Sequence, residues 1–403
     1  MATKSTGKAL LLALILALAA GCTLHRAPAF PPTPTPPPTP TPSPTPHPRP
    51  PQEITLTIWL PDELFLEGRP GKEELEAEIK AFELTHPQVK VKVYTKKTRG
   101  KGGILHLLLS AREVAPSVLP DLVVMDVVEA AGIEGSLFQP LDLIPKGLFP
   151  FATGPRAIQL AANLDHLVYN TGIITSPPSS FWGILDSGGE LLLFPSGETI
   201  AAQYLALGGS FADEQGVPVL SEEALAKALK LWDEGLKKGA ISPLSLEVKD
   251  QGEVWRLYIS GKVAMAGVRA SNFLASRVKL RQTAFAPLPS AAPIAWGWVV
   301  GVITQEPSKK GAAEELINHL LSPEHNRHWA LTANLLPVHR EAYIGGEDPY
   351  LLFLAGLLES AEPAPSSALL KVLEEALRSV LEGKATPEEA ARQATESLLS
   401  HRP

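Results

Sequence analysis

Pro120-Asp121-Leu122-Val123-Val124-Met125-Asp126 is a short run with an unbroken apolar centre and an aspartate at its end. Such a run suits a strand buried on both faces, as in a parallel sheet. Two further strand-like runs precede it. Ile54-Thr55-Leu56-Thr57-Ile58-Trp59 and Val89-Lys90-Val91-Lys92-Val93-Tyr94 alternate with period two. Between them, residues 73–84 put Leu75, Ile79 and Phe82 on one helical face before His86-Pro87 stops the helix. A second helical run over 104–112 leads back to the 120–126 strand. Strand, helix, strand, helix, strand implies an α/β fold with right-handed crossovers. The alternation resumes downstream. Short strands are expected at 167–170, 191–194, 261–267 and 298–303, and helices at 200–207, 254–259, 311–321 and 368–399, the last broken between Gly383 and Pro387. A helix over 224–237 has Ser221 as N-cap and Gly239 as its stop signal.

Upstream of the first strand the composition changes. Lys4 and Lys8 precede an apolar run over 9–20, too short for the roughly 20 residues a spanning helix needs. Leu18-Ala19-Ala20-Gly21-Cys22 resembles a bacterial lipobox, although Ala19 stands where leucine is usual. Cys22 is the only cysteine in the chain, which leaves no partner for an intrachain disulfide and makes lipid attachment its economical use. Residues 1–21 are therefore expected to be a lipoprotein signal peptide, and 22–52 a lipidated cysteine followed by a Pro/Thr-rich linker. From Pro28 to Pro51 the proline repeats favour an extended polyproline spacer, at about 3.1 Å per residue. A disordered or glycosylated stalk is the alternative. The remaining body exceeds the size at which one core keeps growing, so two lobes are expected.

The formal charge of −7 is modest, and no basic stripe with interleaved aromatics is present, which argues against a nucleic-acid partner. The basic cluster Lys96-Lys97-Thr98-Arg99-Gly100-Lys101 reads as a solvated loop. Running into Gly102-Gly103 at a helix start, it could instead hold an anion. No nucleophile elbow, phosphate loop or dinucleotide fingerprint occurs. Ser276-Arg277-Val278-Lys279 fits a loose S-x-x-K pattern but lacks its companion motifs. His325 and His328 are spaced to share a metal on a helix, but no third ligand stands near them in sequence, so they read as surface residues. No cofactor, metal or catalytic activity is expected. Acidic pairs are abundant, and a surface polysaccharide hydrolase stays open as an alternative.

Several segments, in order, carry a family resemblance: residues 82–91; Pro120-Asp121-Leu122-Val123; Gly135-Ser136-Leu137-Phe138-Gln139-Pro140-Leu141-Asp142; Val168-Tyr169-Asn170; Ser260-Gly261-Lys262-Val263-Ala264-Met265; Ala286-Pro287-Leu288-Pro289; residues 311–317; Asn334-Leu335-Leu336-Pro337-Val338; and Thr386-Pro387-Glu388-Glu389-Ala390. With these, the body resembles the bacterial extracellular solute-binding proteins of family 1, the maltose-binding-protein-like receptors of ABC importers. Residues 173–190 depart from the pattern, with a shortened Pro177-Pro178-Ser179-Ser180-Phe181-Trp182.

The resemblance implies a two-lobed periplasmic-binding-protein-like fold of type II with a hinge, lobe 1 being 53–160 plus 288–328 and lobe 2 being 161–287 plus 329–403. It implies a monomer in the cell envelope, outside the cytoplasm, partnered by a small solute read as carbohydrate and by an ABC permease, and held to the membrane by lipid on Cys22. Sugars stack C–H faces on aromatic rings while their hydroxyls hydrogen-bond to polar groups, so aromatics at loop ends are the candidates. Trp59 ends the first strand. Tyr169 and Asn170 sit at the crossover. Trp296 and Trp298 flank a glycine that permits close backbone approach. Asp126, and after it Asp62, stand at strand C-termini, where open α/β sheets bind ligands. Gly209 and Asn272 lie in turns that often touch ligand in the family. For each, core packing or plain turn formation is the competing reading. Trp182, Trp255, Tyr258 and Trp329 read as packing.

Overall fold

A computed structural model describes residues 53–65, 71–213 and 215–400; the expected signal peptide, Cys22 and the Pro/Thr linker lie outside these residues. The first sheet holds β1 (Ile54–Pro61), β2 (Val89–Lys96), β3 (Leu122–Asp126), β4 (Ala157–Asn163), β9 (Ile294–Val302) and β10 (Glu362–Pro363). The second holds β5 (Asp165–Asn170), β6 (Leu191–Leu192), β7 (Met265–Arg269) and β8 (Thr283–Ala286). β1 runs parallel to β2 along its whole length and parallel to β3 on its other edge. Every residue of β3 is buried, as its apolar composition requires. The helices α1 (Gly71–Thr85) and α2 (Ile104–Val114) make the crossovers, α1 burying Leu75, Ile79 and Phe82 and α2 burying Ile104 and Leu108. Two single-turn helices, α3 (Val127–Ala130) and α4 (Glu134–Leu137), follow β3.

β9 reverses direction. It is antiparallel to β3 on one side and to β4 on the other, with Asp126 and Ala161 both opposite Trp298. In the second sheet β5 lies between β7 and β8, antiparallel to both, and the expected 191–194 strand shrinks to the two residues of β6, which run parallel to β7. Around this sheet α5 (Gly197–Ala206), α6 (Glu222–Lys238), α12 (Ser367–Leu381) and α13 (Pro387–Ser400) pack on one another. Ser221 accepts a hydrogen bond from Ala224 N, and Gly239 closes α6 at φ +80°, the two ends read from the sequence. α7 (Gln251–Ile259) and α8 (Ala270–Ser276) contact β7. α9 (Pro307–Leu320) and α10 (Pro323–Thr332) cover α1 on the first sheet. α11 (Pro349–Glu359) sets Tyr350 against His166 and Phe285 of the second and against Phe273 of α8.

The chain passes between the sheets at Leu164, which alone separates β4 from β5, again between β8 and β9, and again late in the chain. The first crossing falls a few residues after the expected 160/161. The third does not fall at the expected 328/329, because that point lies inside α10. Trp329 is fully buried there and donates its indole N–H to Leu320 O at the end of α9. Further on, Leu336 still bridges Ala162, and Tyr343 packs edge-on against Phe149. The segment joins the second sheet only at Asp348, which pairs with Arg277, and at Tyr350.

Candidate ligand-binding cleft

Residues of both sheets line a cleft of about 440 Å³, with Trp296, Gly297 and Trp298 of β9 among them. Trp296 and Trp298 line it on either side of Gly297. Gly297 holds φ +132°, and a Cβ there would lie 2.3 Å from Ala161 O, so only glycine lets β9 press against the bulge in β4 between Gln159 and Ala161. The buried amide of Gln159 donates to Trp296 O at 2.8 Å and fixes the strand at the same place. An adjoining hollow of about 670 Å³ shares Asn163, Asp250, Gln251, Arg269 and Trp298 with the cleft and adds Glu63, Ser271 and Asn272.

Charged groups ring this cleft. Asp126, the last residue of β3, accepts from Val128 N at 2.9 Å with one oxygen, capping α3, and takes the Arg99 guanidinium on the other. Arg99 also lies 3.2 Å from Glu63. Burial opposes the Arg99 charge, yet Asp126 and Glu63 hold its pKa above the usual value. Opposite, Arg269 ends β7 and faces Asp165, its partner in the antiparallel ladder, with Nε 3.1 Å from Oδ1. It also pairs with Glu198 and lays its guanidinium 5.3 Å over the Trp296 ring. Burial pushes the Asp165 carboxyl up. Burial likewise works against the Arg269 charge, but Asp165 and Glu198 outweigh it and raise the guanidinium pKa. Asn163 ends β4; its amide donates to Ser271 Oγ at 2.9 Å and its carbonyl accepts from Ser271 N at 3.2 Å, tying the inter-sheet junction to α8. Asp250 caps α7 through Glu253 N at 2.7 Å, and Gln251 beside it keeps a buried Oε1 without a hydrogen-bond partner.

Of the nine ligand-binding residues read from the sequence, Asp126, Asn272, Trp296 and Trp298 meet at this cleft and its adjoining hollow. The other five do not. Trp59 packs with Ile104, Leu108 and Val123 beneath α2, and its edge borders a separate groove with Tyr94 and Lys96. Lys96 Nζ stands 5.1 Å above that ring. The Asp62 carboxylate accepts from Thr98 Oγ1 at 2.7 Å and Thr98 N at 2.9 Å; the hydroxyl bond chiefly holds its pKa below the usual value, and the pair ties β1 to the loop after β2. Tyr169 and Asn170 close β5 at the end remote from Asp165, and Asn170 accepts from Gly172 N in a local turn. Gly209 rests on the Tyr204 ring, where a Cβ would come within 2.3 Å. The basic cluster divides: Arg99 reaches the cleft, while Lys96 serves the Trp59 groove. Arg99, Asn163, Glu198, Gln251 and Arg269 were missed, and of these only Arg99 belonged to a pattern visible in sequence.

Two α/β lobes, joined by short crossings, surround a cleft lined by two tryptophans and rimmed by polar groups. Residues 79–347 match the family model described as bacterial extracellular solute-binding protein, and the chain belongs to that family. No curated protein sequence matches it. Among solved structures, the GacH receptor of Streptomyces glaucescens GLA.O, reported unliganded and with acarbose, superposes with a TM-score of 0.68 at 20% identity, over 87% of this chain and 100% of that one. The cyclic alpha-maltosyl-1,6-maltose binding protein of Arthrobacter globiformis gives 0.69 at 17% identity, covering 86% and 98%. The sugar-binding protein MalE of Xanthomonas citri gives 0.69 at 15%, covering 86% and 98%. At such identities these likenesses speak to the two-lobed fold.

Proposed function

We propose that the protein is a non-catalytic, monomeric receptor for a sugar or oligosaccharide, serving an ABC importer and held outside the cytoplasm by lipid on Cys22. The carrying observation is the pair Trp296 and Trp298 lining a cleft rimmed by Asp126, Asn163, Glu198, Asp250 and Gln251. Indole faces take sugar C–H surfaces, and carboxylates and amides take hydroxyls. The unpartnered Gln251 Oε1 is an acceptor for one such hydroxyl. A ligand touching both lobes favours the closed arrangement by the contacts it makes only there, and the short link at Leu164 suits a hinge. An anionic solute is less well matched. Arg99 and Arg269 are already paired with carboxylates, and the lining carries Asp126, Glu198, Asp250 and Glu374 against Arg99, Arg269 and Lys249.

The test is a glycan panel followed by intrinsic tryptophan fluorescence and thermal midpoint. A ligand at a hundred times its Kd stabilises the native state by about 2.7 kcal/mol. Trp298→Ala should weaken the best glycan by about tenfold or more, in line with loss of one stacking contact and its buried area. No binding by any glycan, or unchanged affinity in Trp298→Ala, would overturn the reading. Appearance of cleaved product would turn it toward a hydrolase. Cys22→Ala, expressed in a bacterium with the full chain, should move the protein from the membrane fraction to the soluble one.

A further inference from the structure

Outside the cleft, α1, α9 and α10 meet at a cluster of histidines and carboxylates with no part in ligand capture as proposed above. Glu78 of α1 is only 7% exposed. Its Oε2 lies 2.6 Å from His325 Nδ1 and 3.7 Å from His319 Nε2. The His319 and His325 rings are 4.1 Å apart, centroid to centroid. One turn earlier on α1, Glu74 Oε1 is 2.6 Å from His328 Nε2. Donor atoms of Glu78, His319 and His325 all lie within 4.8 Å of one another, and so do those of Glu74, Glu78 and His328. The third ligand that His325 and His328 lack in sequence thus arrives from two other helices.

We propose that this junction binds a divalent transition cation of the zinc class, with His319, His325 and Glu78 as its protein ligands. Imidazole nitrogen and carboxylate oxygen are the donors such ions take. With bonds of about 2.0–2.2 Å, tetrahedral donors stand about 3.3 Å apart. The distance from His319 to Glu78 is already close to this, and that from His325 need open by less than about 1 Å. The electrostatics favour a cation as well. Among the described residues, the ion-pair partners of the buried Glu78 carboxylate are imidazoles, which carry charge only when protonated. A bound ion would supply the fixed positive charge the cluster lacks and brace α1 to α9 and α10 on the first sheet. His319 Nε2 also lies 3.1 Å from Glu78 O, a hydrogen bond it would give up to an ion, and His86, stacked on Phe82, and Glu315, 3.8 Å from it, stand nearby.

The test uses the full chain stripped with a chelator and titrated with Co²⁺ and then Zn²⁺. Expected are one equivalent of Co²⁺ with the visible absorption of a four- or five-coordinate ion, its displacement by Zn²⁺, and a rise in thermal midpoint. His325→Gln and Glu78→Gln should each weaken binding by about tenfold or more, while His106→Gln on α2 leaves it unchanged. His325 is half-exposed, so His325→Gln keeps the test open if Glu78→Gln does not fold. Absence of saturable binding, or equal binding in the His325 and Glu78 variants, overturns the proposal.

Discussion

Arg269→Met probes the electrostatic frame of the cleft. The Arg269 and Asp165 side chains are 15% and 17% exposed, and Glu198 is 31% exposed. Removing one partner of a buried pair costs about 3–5 kcal/mol, because the other charge is left desolvated. Partial exposure of all three groups puts the expected loss near the lower end, about 3 kcal/mol, with about 0.5–1 kcal/mol more for the guanidinium lost from the face of Trp296. The pH dependence carries a sign. Asp165 already has a raised pKa from burial, and Arg269 opposes that rise, so the variant lifts it further. A carboxyl with a raised folded pKa binds more protons folded than unfolded, so its unfavourable contribution grows as pH rises through that window. Urea denaturation followed by tryptophan fluorescence should therefore give a deficit of about 3–4 kcal/mol at pH 7 that shrinks toward pH 5. The double variant Arg269→Met/Asp165→Asn should recover about 2 kcal/mol of it, since the orphaned charge is gone. A deficit under about 1 kcal/mol at pH 7, or one identical at pH 5, would refute the reasoning.

Gly297→Ala should lose at least about 2 kcal/mol from the positive φ and the contact with Ala161 O, measured as a urea midpoint shift; a change under about 0.5 kcal/mol would contradict the close approach. Trp59→Ala should cost about 3–5 kcal/mol of stability as a buried aromatic truncation, yet leave glycan affinity of the folded protein unchanged, in contrast to Trp298→Ala. His166 is fully buried, accepts from Tyr350 OH at Nε2 over 2.5 Å, and has its pKa depressed to about 4 by burial. Its unfolded form binds the proton first, so stability should fall by on the order of 3 kcal/mol between pH 6.5 and pH 4, and His166→Phe should flatten that part of the profile.

Periodicity carried much of the fold. The alternation of β1 and β2, the apolar β3 and the Ser221 and Gly239 signals of α6 all describe forces acting within a few residues, and the structure keeps them. The site was legible only where chemistry was condensed into one segment. Trp296-Gly297-Trp298 is such a segment, because adjacency put both rings beside one strained glycine. Trp59 shows the limit: its place on β1 was read correctly, but α2 covers the face on which it stands. The third lobe crossing was misplaced for a related reason, since nothing local to 328/329 reveals that Trp329 buries itself against α9.

Local sequence thus determined which residues form strands and helices, where several begin and end, and that two tryptophans would lie beside a close backbone approach. Tertiary structure alone decided which strand ends share the cleft, that Arg269 would be held between Asp165 and Glu198, and that His319 would meet Glu78 across 241 residues of chain. The physical reason is range. Hydrophobic period and capping are settled by neighbours along the chain, whereas a charge pair or ligand set depends on faces that meet only after the sheets and their covering helices have packed.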